Sequence, residues 1–361
     1  MKLTKVFVKP WFFADRPALL LADGSLKATA FRYETGVAGL KIENEDCSMV
    51  VLPYMGQQIW EATFHGTNLT QKSIFPIPQN TTKFGDNYGG LLLHCGLTNI
   101  NGAEEGEDYP LHGELPFANY QQVYTGIGED EKGRFLAVGG TYTYRNSQEF
   151  YWSYSPQLRL YEGKSVLEMH IDIHNKRHAE LEYMFMCHMN WLGVEGSRIV
   201  YSAKPEDMMP DPPSMDGDSP RAVKMREFAK KIKADPTAAD ILDRENTCCD
   251  PELCISVKYQ ADDNGWGHAM QVFPEGDACY VGFDTAKLPY ALRWYCRTGD
   301  EDGVGIALPT TGTNRSTRYQ KEHGLFNTMA PDEHHYLRFN FGYLKEENVK
   351  RVEEHIKHIL G

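Results

Sequence analysis

The chain has 361 residues, a formal net charge of -13 and a sequence pI of about 5.5. The acidic balance argues against nucleic acid and anionic membranes as main partners, and no run of about 18 apolar residues predicts a membrane span. No apolar segment of signal-peptide type follows the start of the sequence, so a cytoplasmic location is expected.

The eight cysteines show no regular framework, which favours reduced thiols over a disulfide scaffold. Cys248, Cys249 and Cys254 are clustered, but their spacing matches no zinc template and no histidine lies close to them in the sequence. A structural or incidental role is expected for this cluster.

Residues 1–80 contain short apolar segments separated by turns. Strands are predicted at 48–52 and 57–64, and an irregular crossing is expected at 75–90, which is rich in Pro, Asn and Gly. Residues 94–114 combine turn formers with many titratable groups, which predicts a long ordered loop that serves a ligand.

Residues 116–195 are the clearest β region. Strands are predicted at 135–138, 140–144, 158–160, 166–174 and 183–191. Within 166–174 apolar and polar residues alternate, which places the apolar set on one face. His170 and His174 share the polar face with two acids, and a solvated sheet face is favoured there over a metal site.

Residues 202–253 break the β pattern and are interpreted as an insertion, too short to bury a core of its own. No regular element is expected in 205–220, which holds five prolines, whereas 221–234 predicts a short helix. Strands are predicted again at 254–259, 267–273, 278–283, 290–296, 303–308 and 336–344, and a C-terminal helix is predicted at about 346–360. The pattern predicts an all-β sandwich with a few short helices, built from residues 1–361 as a single domain.

Two short stretches carry the candidate chemistry. His112 and Glu114 would point the same way in an extended segment, so that one could donate a proton and the other accept one. His188 and Asn190 share a strand face, as either a satisfied core pair or the floor of a site. We expect His112 and His188 to meet across one pocket.

Several motifs follow one another along the chain: Tyr88-Gly89-Gly90, His94-Cys95-Gly96-Leu97, Tyr109-Pro110-Leu111-His112-Gly113, Met186-Cys187-His188-Met189-Asn190-Trp191, and Leu288-Pro289-Tyr290 with Arg293-Trp294. The ordered series resembles the galactose mutarotase (aldose 1-epimerase) superfamily, specifically its aldose 1-epimerase-like branch. The resembling features run from about residue 48 to 344. The resemblance implies a β-supersandwich with a concave sugar-binding cleft, no cofactor, and His112 and His188 as the two active-site histidines.

The resemblance also implies a carboxylate base, because in mutarotases a Glu takes the anomeric proton while a His protonates the ring oxygen. Leu308 stands where that Glu would be expected on a late strand. Glu114 is the provisional base instead. The further acids considered are Glu104, Glu105 and Asp108, with Lys321 and Glu322 also close enough in sequence to reach the cleft.

The leading hypothesis is an aldose 1-epimerase-like isomerase that acts on a free sugar or sugar derivative, with His112, His188 and Glu114 as catalytic residues. The candidate substrate-binding residues are His94, Asn190, Trp191, Arg293, Trp294 and Lys321. A small-molecule sugar is the expected partner, without nucleic acid or membrane, and a homodimer is left open.

Two alternatives remain open from the sequence. One is a non-catalytic sugar-binding or sensing protein, which the leucine at position 308 makes plausible. The other is a lyase or hydrolase of an oxidised sugar, with or without a metal ion. If a metal ion is bound, His94, His112, His188 and Glu114 are the candidate ligands.

Overall fold

A computed structural model describes residues 2–103, 108–211, 217–244, 247 and 249–361. The helices within these ranges are α1 (Pro220–Ala234), α2 (Thr317–Glu322) and α3 (Glu346–Leu360). The strands are β1 (Lys2–Val8), β2 (Ala18–Asp23), β3 (Leu26–Arg32), β4 (Ala38–Glu43), β5 (Cys47–Val51), β6 (Ile59–Phe64), β7 (Thr67–Asn68), β8 (Leu92–Leu97), β9 (Gln122–Asp130), β10 (Gly133–Asn146), β11 (Phe150–Tyr161), β12 (Val166–Asn175), β13 (Leu181–Met189), β14 (Arg198–Tyr201), β15 (Met208–Asp211), β16 (Leu253–Lys258), β17 (Trp266–Val272), β18 (Ala278–Asp284), β19 (Tyr290–Arg297), β20 (Asp302–Thr310), β21 (Asn327–Met329) and β22 (His334–Leu344).

Two large antiparallel sheets contain these strands. The first has nine strands in the order β1-β9-β10-β11-β12-β22-β18-β17-β14. The second has the order β15-β16-β19-β20-β13-β8-β6-β5-β4-β3-β2, with β21 and β7 paired to β13 and β6. The all-β sandwich expected from the sequence is confirmed.

The apolar faces of both sheets form one core. In β12, Leu167, Ile171 and Ile173 are buried in it, while His170 and Asp172 on the other face are half-buried. From the second sheet, strands β8, β13 and β20 contribute side chains to the same core. The alternating apolar residues that the sequence shows in β12 therefore form the face of the strand that is buried in the core.

The structure corrects three local predictions. His94-Cys95-Gly96-Leu97 belongs to strand β8 and not to a loop, and β10 is one strand where two were predicted. Strand β15 lies inside the proline-rich segment where no regular element was expected, and it pairs with β16. Its Pro210 is accommodated because β15 is an edge strand, where a missing backbone donor costs no ladder bond.

Helix α1 lies in the excursion between β15 and β16. The Ser219 hydroxyl accepts the backbone N–H of Ala222, and Pro220 occupies the first turn, which is a favourable start for a helix. Its apolar face buries Phe228 and Ile232 in the main core, so the excursion packs on the sandwich.

Helix α3 covers the outer face of the nine-stranded sheet. Val349 and Ile356 of α3 pack against Met270, Val272 and Tyr280 of β17 and β18. Among the described residues, no helix has the length and apolar character needed to cross a membrane.

Candidate active site

A cavity of ≈ 490 Å³ opens on the second sheet, where β13 and β19 carry polar and aromatic side chains on the face away from the main core. Loops before β8, after β8 and after β20 form its walls. Its lining residues are Phe84, Tyr88, Asn101, Gly102, Leu111, His112, His188, Pro251, Glu252, Trp294, Cys296, Glu301, Asn314, Arg315 and Ser316.

His188 lies on the cavity floor and is 4% exposed. The side-chain amide of Asn190 donates to the Gly90 carbonyl at 3.0 Å, so the Asn190 oxygen is an acceptor. His188 Nδ1 therefore donates to this oxygen, at 2.6 Å. Nε2 carries the lone pair of the ring and lies 3.4 Å from the Tyr88 hydroxyl. Burial lowers the pKa of His188 to about 3, and the neighbouring His112 acts in the same direction.

His112 enters the cavity from a turn in which it and Gly113 have φ angles of 61° and 77°. The turn is held at both sides, because His112 N–H donates to Asn101 O at 3.1 Å and Gly96 N–H donates to His112 O at 2.9 Å. His112 Nδ1 donates to the Ile100 carbonyl at 2.6 Å. Burial lowers the pKa of His112, so this imidazole is also neutral near pH 7 with Nε2 available.

The two imidazoles meet, as expected from the sequence. Their ring centroids are 5.5 Å apart. The ring centroids of Trp294 and His188 are 5.3 Å apart, and those of Phe84 and His112 are 4.7 Å apart, both in edge-to-face arrangements. Tyr88 completes the aromatic surround and donates from its hydroxyl to Asn190 Oδ1 at 3.2 Å. Such rings offer apolar faces to a ligand that also carries polar groups.

Two carboxylates line the same cavity, Glu252 and Glu301. Glu252 stands just before β16, and its Oε2 accepts the Trp294 indole N–H at 2.6 Å. This bond fixes the carboxylate to the ring that packs against His188. Sequence reasoning missed both acids. The one local signal was that Glu252 lies two residues before the strand predicted at 254–259. Strand pairing between β16 and β19 is what brings Glu252 close to Trp294.

Glu114, the provisional base, lies outside the cavity. Its carboxylate accepts the Leu97 backbone N–H at 3.0 Å and the Thr98 hydroxyl at 2.5 Å. The left-handed turn at His112 and Gly113 is not the extended segment on which the pairing depended. Burial raises the pKa of Glu114 to about 7, although the hydrogen bonds oppose the shift. The structure thus removes Glu114 from direct contact with a ligand in this cavity.

Three further expected ligand residues belong to the protein interior. His94 is fully buried, and its Nδ1 lies 2.8 Å from the Tyr154 hydroxyl. Trp191 is fully buried against Phe64. Arg293 is fully buried and paired with Asp240 at 2.5 Å. The structure therefore places His94, Trp191 and Arg293 away from the residues that line the cavity.

The remaining expected residues divide between the cavity and other surfaces. Trp294 lines the cavity, and Asn190 lies behind it, where it orients His188. Lys321 lines a different groove together with Asp108 and contacts the Phe326 ring. Glu104, Glu105 and Cys248 fall outside the described residues.

Leu308 belongs to an apolar layer beneath the cavity. It is 1% exposed and packs in one cluster with Met184, Met186 and Trp294. The position can therefore supply only apolar packing. The metal set considered from the sequence is not assembled, because His94 and Glu114 both lie away from the His112 and His188 pair.

Solved structures with the same architecture include three with aldose epimerase or mutarotase descriptions. A "putative aldose 1-epimerase" from Klebsiella pneumoniae is 14% identical with a TM-score of 0.81, over 100% of this chain and 96% of that one. A galactose mutarotase-like protein from Clostridium acetobutylicum is 13% identical with a TM-score of 0.57, over 88% and 98%. Galactose 1-epimerase from Lactobacillus acidophilus is 11% identical with a TM-score of 0.53, over 95% and 99%.

At these identities the likeness establishes the fold, a galactose mutarotase-like sandwich. Among curated protein sequences no significant match was found. A family profile described as "Domain of unknown function (DUF4432)" matches residues 34–342, which is most of the chain. The chain therefore belongs to the DUF4432 family.

Proposed function

We propose that the chain is a carbohydrate-active isomerase that interconverts the anomers of a free sugar or sugar derivative in the His112 and His188 cavity. The observation that carries the proposal is the pair of neutral imidazoles in one cavity, whose Nε2 atoms hold the lone pairs because Nδ1 is bonded to Ile100 O in one ring and to Asn190 Oδ1 in the other. Carboxylates and aromatic rings complete the lining. The similar proteins described as galactose mutarotase-like or galactose 1-epimerase support this choice of chemistry.

The proposed reaction is a proton relay on the anomeric carbon. His112 Nε2 accepts the proton of the O1 hydroxyl and transfers it to the ring oxygen as the bond from C1 to that oxygen breaks. The open-chain aldehyde rotates about C1–C2, and the same transfers in reverse close the ring on the other face. Protons balance, and the protein's own groups are sufficient as acid and base.

The cavity residues His112, His188, Glu252, Trp294 and Tyr88 each have a role in this scheme. The Ile100 carbonyl, 2.6 Å from Nδ1, stabilises the His112 imidazolium that forms in passing. His188, with its pKa lowered to about 3, stays neutral and accepts a hydrogen bond from a sugar hydroxyl. Glu252 takes the place of Glu114 as the carboxylate that holds the anomeric hydroxyl and balances the transient positive charge. Trp294 and Tyr88 contact the apolar face of the sugar ring.

The apolar layer at Leu308 supports a second candidate, a protein that binds sugar in the same cavity without turnover. The base that mutarotases carry on a late strand has no counterpart at this position. In that case the histidine pair would serve only to accept hydroxyl hydrogen bonds.

Exchange NMR of the anomeric protons across a panel of aldoses separates the two candidates. We expect the wild-type protein to accelerate α/β exchange for at least one sugar, and His112→Ala to lose about 10²–10⁴-fold of that rate. His178→Ala is the matched control, because His178 is an exposed histidine in the turn between β12 and β13.

Binding without acceleration for any sugar would favour the non-catalytic candidate. Acceleration that survives in His112→Ala at the wild-type rate would contradict the proposed proton relay.

A further inference from the structure

Three potential metal ligands converge beneath helix α3, on the outer face of the nine-stranded sheet. Asp262 lies in the turn between β16 and β17, His268 lies on β17, and His355 lies on α3. The group is built on the sheet opposite to the one that carries His112 and His188. It is therefore independent of the proposed anomeric chemistry.

The three side chains direct their ligand atoms at one point. Asp262 Oδ2 is 3.1 Å from His268 Nε2 and 3.1 Å from His355 Nε2. All three ligand atoms lie within 4.8 Å of one another. Two imidazole nitrogens and one carboxylate oxygen are a ligand set that zinc and neighbouring divalent ions accept, with water in an open position.

The ligand atoms are oriented by bonds on their far sides. Asp262 Oδ1 accepts the backbone N–H groups of Asn264 at 2.8 Å and Trp266 at 2.9 Å, which leaves Oδ2 for the two histidines. His268 Nδ1 lies 2.9 Å from the Tyr280 hydroxyl, which can accept a hydrogen bond from Nδ1–H and so leave the Nε2 lone pair for an ion held between Nε2 and Asp262. A hydrogen bond on the non-ligating nitrogen is typical of metal-bound histidine.

The dimensions of the group also fit an ion. Bonds of about 2.0–2.2 Å in a tetrahedral site place ligand atoms roughly 3.3–3.6 Å apart, so the two 3.1 Å separations need only a small expansion. The Asp262 side chain is 7% exposed and the His268 side chain is 11% exposed, so both are largely buried. The His355 side chain is 42% exposed. The open side at His355 gives an ion and its water access from solvent.

We propose that Asp262, His268 and His355 form a binding site for a divalent transition-metal ion of the zinc type. The ion would join α3 to β17 and to the turn before it. Without it, α3 is held to this face by apolar packing of residues such as Val349 and Ile356, by the Arg198–Glu353 ion pair and by the contact between His355 and Asp262. Metal binding at this site stabilises the folded chain by mass action.

Calorimetric titration of Zn²⁺ into untagged, chelator-treated and dialysed protein tests the proposal. We expect one ion per chain, and loss of that binding in His355→Ala. His358→Ala is the matched control, because His358 is an exposed histidine on the same helix outside the triad. A His188→Ala variant should keep the stoichiometry, which distinguishes this site from the cavity.

Failure of the wild-type protein to bind Zn²⁺ in the micromolar range would overturn the proposal, as would binding that His355→Ala retains in full. If His355→Ala alters the far-UV circular dichroism, Asp262→Asn decides instead, because it keeps the side-chain size and an oxygen that can accept the Asn264 and Trp266 N–H groups. An added readout is amide hydrogen exchange, which we expect Zn²⁺ to slow in α3 in the wild-type protein and in His358→Ala, but not in Asp262→Asn.

Discussion

The histidines of the cavity owe their chemistry to what each Nδ1 touches. A carbonyl or amide oxygen at 2.6 Å holds the proton on Nδ1, and burial disfavours a second proton. His112 and His188 are therefore proton acceptors in the resting protein. The histidine that the family resemblance expects to protonate the ring oxygen would have to gain its proton during the reaction, by transfer from the sugar.

Glu252 is the residue on which the proposed mechanism differs most from the sequence-based hypothesis. We expect Glu252→Gln to slow anomeric exchange by about 10²–10⁴-fold, because the amide cannot carry the negative charge that balances the His112 imidazolium. Folding should be preserved, since the amide oxygen can still accept the Trp294 N–H. Exchange NMR gives the rate.

Glu322→Gln serves as the control for this substitution, because Glu322 is exposed on α2 outside the cavity. An unchanged rate in Glu252→Gln would exclude this carboxylate from the reaction and direct attention to Glu301.

Buried neutral histidines also make stability depend on pH. The pKa values of His94 and His188 are lowered to about 3 in the folded chain, whereas an unfolded histidine titrates near 6.5. Below about pH 6.5 the unfolded state binds more protons than the folded state. The stability that these neutral histidines contribute is therefore fully present above about pH 6.5 and is lost progressively as the pH falls towards 3. Each such group contributes a slope of up to about 1.4 kcal/mol per pH unit.

Urea unfolding at a series of pH values between about 7 and 5 measures this slope. We expect His94→Gln to reduce the slope of the free energy of unfolding against pH by up to about 1.4 kcal/mol per pH unit relative to the wild-type chain, which corresponds to one proton. His178→Ala should leave the slope unchanged. An equal slope in His94→Gln and wild type would show that His94 is not held neutral by the fold.

At the scale of the element, the alternation of β19 decides which of two adjacent residues meets a ligand. Arg293 points to the interior, where it pairs with Asp240, and Trp294 points to the cavity. Successive side chains of a strand face opposite sides, so both could not serve one site. The same rule puts Met184, Met186 and His188 on one face of β13, with the methionines beneath the cavity and the histidine in it.

The turn that carries His112 provides a test at this scale. A Cβ at Gly113 would lie 2.5 Å from the backbone oxygens of Asn99 and Gly96, and the φ of 77° is unfavourable for other residues. We expect Gly113→Ala to lower the free energy of unfolding by about 1–3 kcal/mol and to displace His112, so that anomeric exchange falls as well. Urea unfolding and exchange NMR measure the two effects.

Gly299→Ala is the matched control, because a Cβ there meets no atom within 4 Å and the backbone is not left-handed. Wild-type stability and activity in Gly113→Ala would mean that the turn is free to relax without moving the histidine.

At the scale of the whole molecule, we propose that the chain unfolds as one domain that includes the excursion between β15 and β16. The supporting observation is that α1 adds Met225, Phe228 and Ile232 to the core shared by both sheets. If α1 packed only against its own segment, mutations in α1 would not change the stability of the core shared by the two sheets.

Ile232→Ala tests this proposal. We expect a loss of about 2–5 kcal/mol in the free energy of unfolding, in a single transition, because a fully buried side chain is removed from the common core. Val223→Ala on the same helix is the control, since Val223 is 38% exposed and should change stability by about 0.5 kcal/mol or less. A separate low-stability transition that alone responds to Ile232→Ala would indicate an independently folding insertion.

Local sequence determined much of the architecture. Period-two alternation, as in 166–174, specifies a strand and its buried face from neighbouring residues alone, and helical spacing does the same for α3. The motifs around His112 and His188 were sufficient to expect that these two side chains meet, and they do.

Only the tertiary structure decided which other side chains surround that pair. His94, Trp191 and Arg293 lie close in sequence to cavity residues but face the interior, and Glu252 reaches the cavity through strand pairing between β16 and β19. Strand periodicity assigns residues to two faces, but it does not say which face borders a cavity. That depends on the order of strands in the sheet and on loops from distant parts of the chain, and neither is encoded in any single segment.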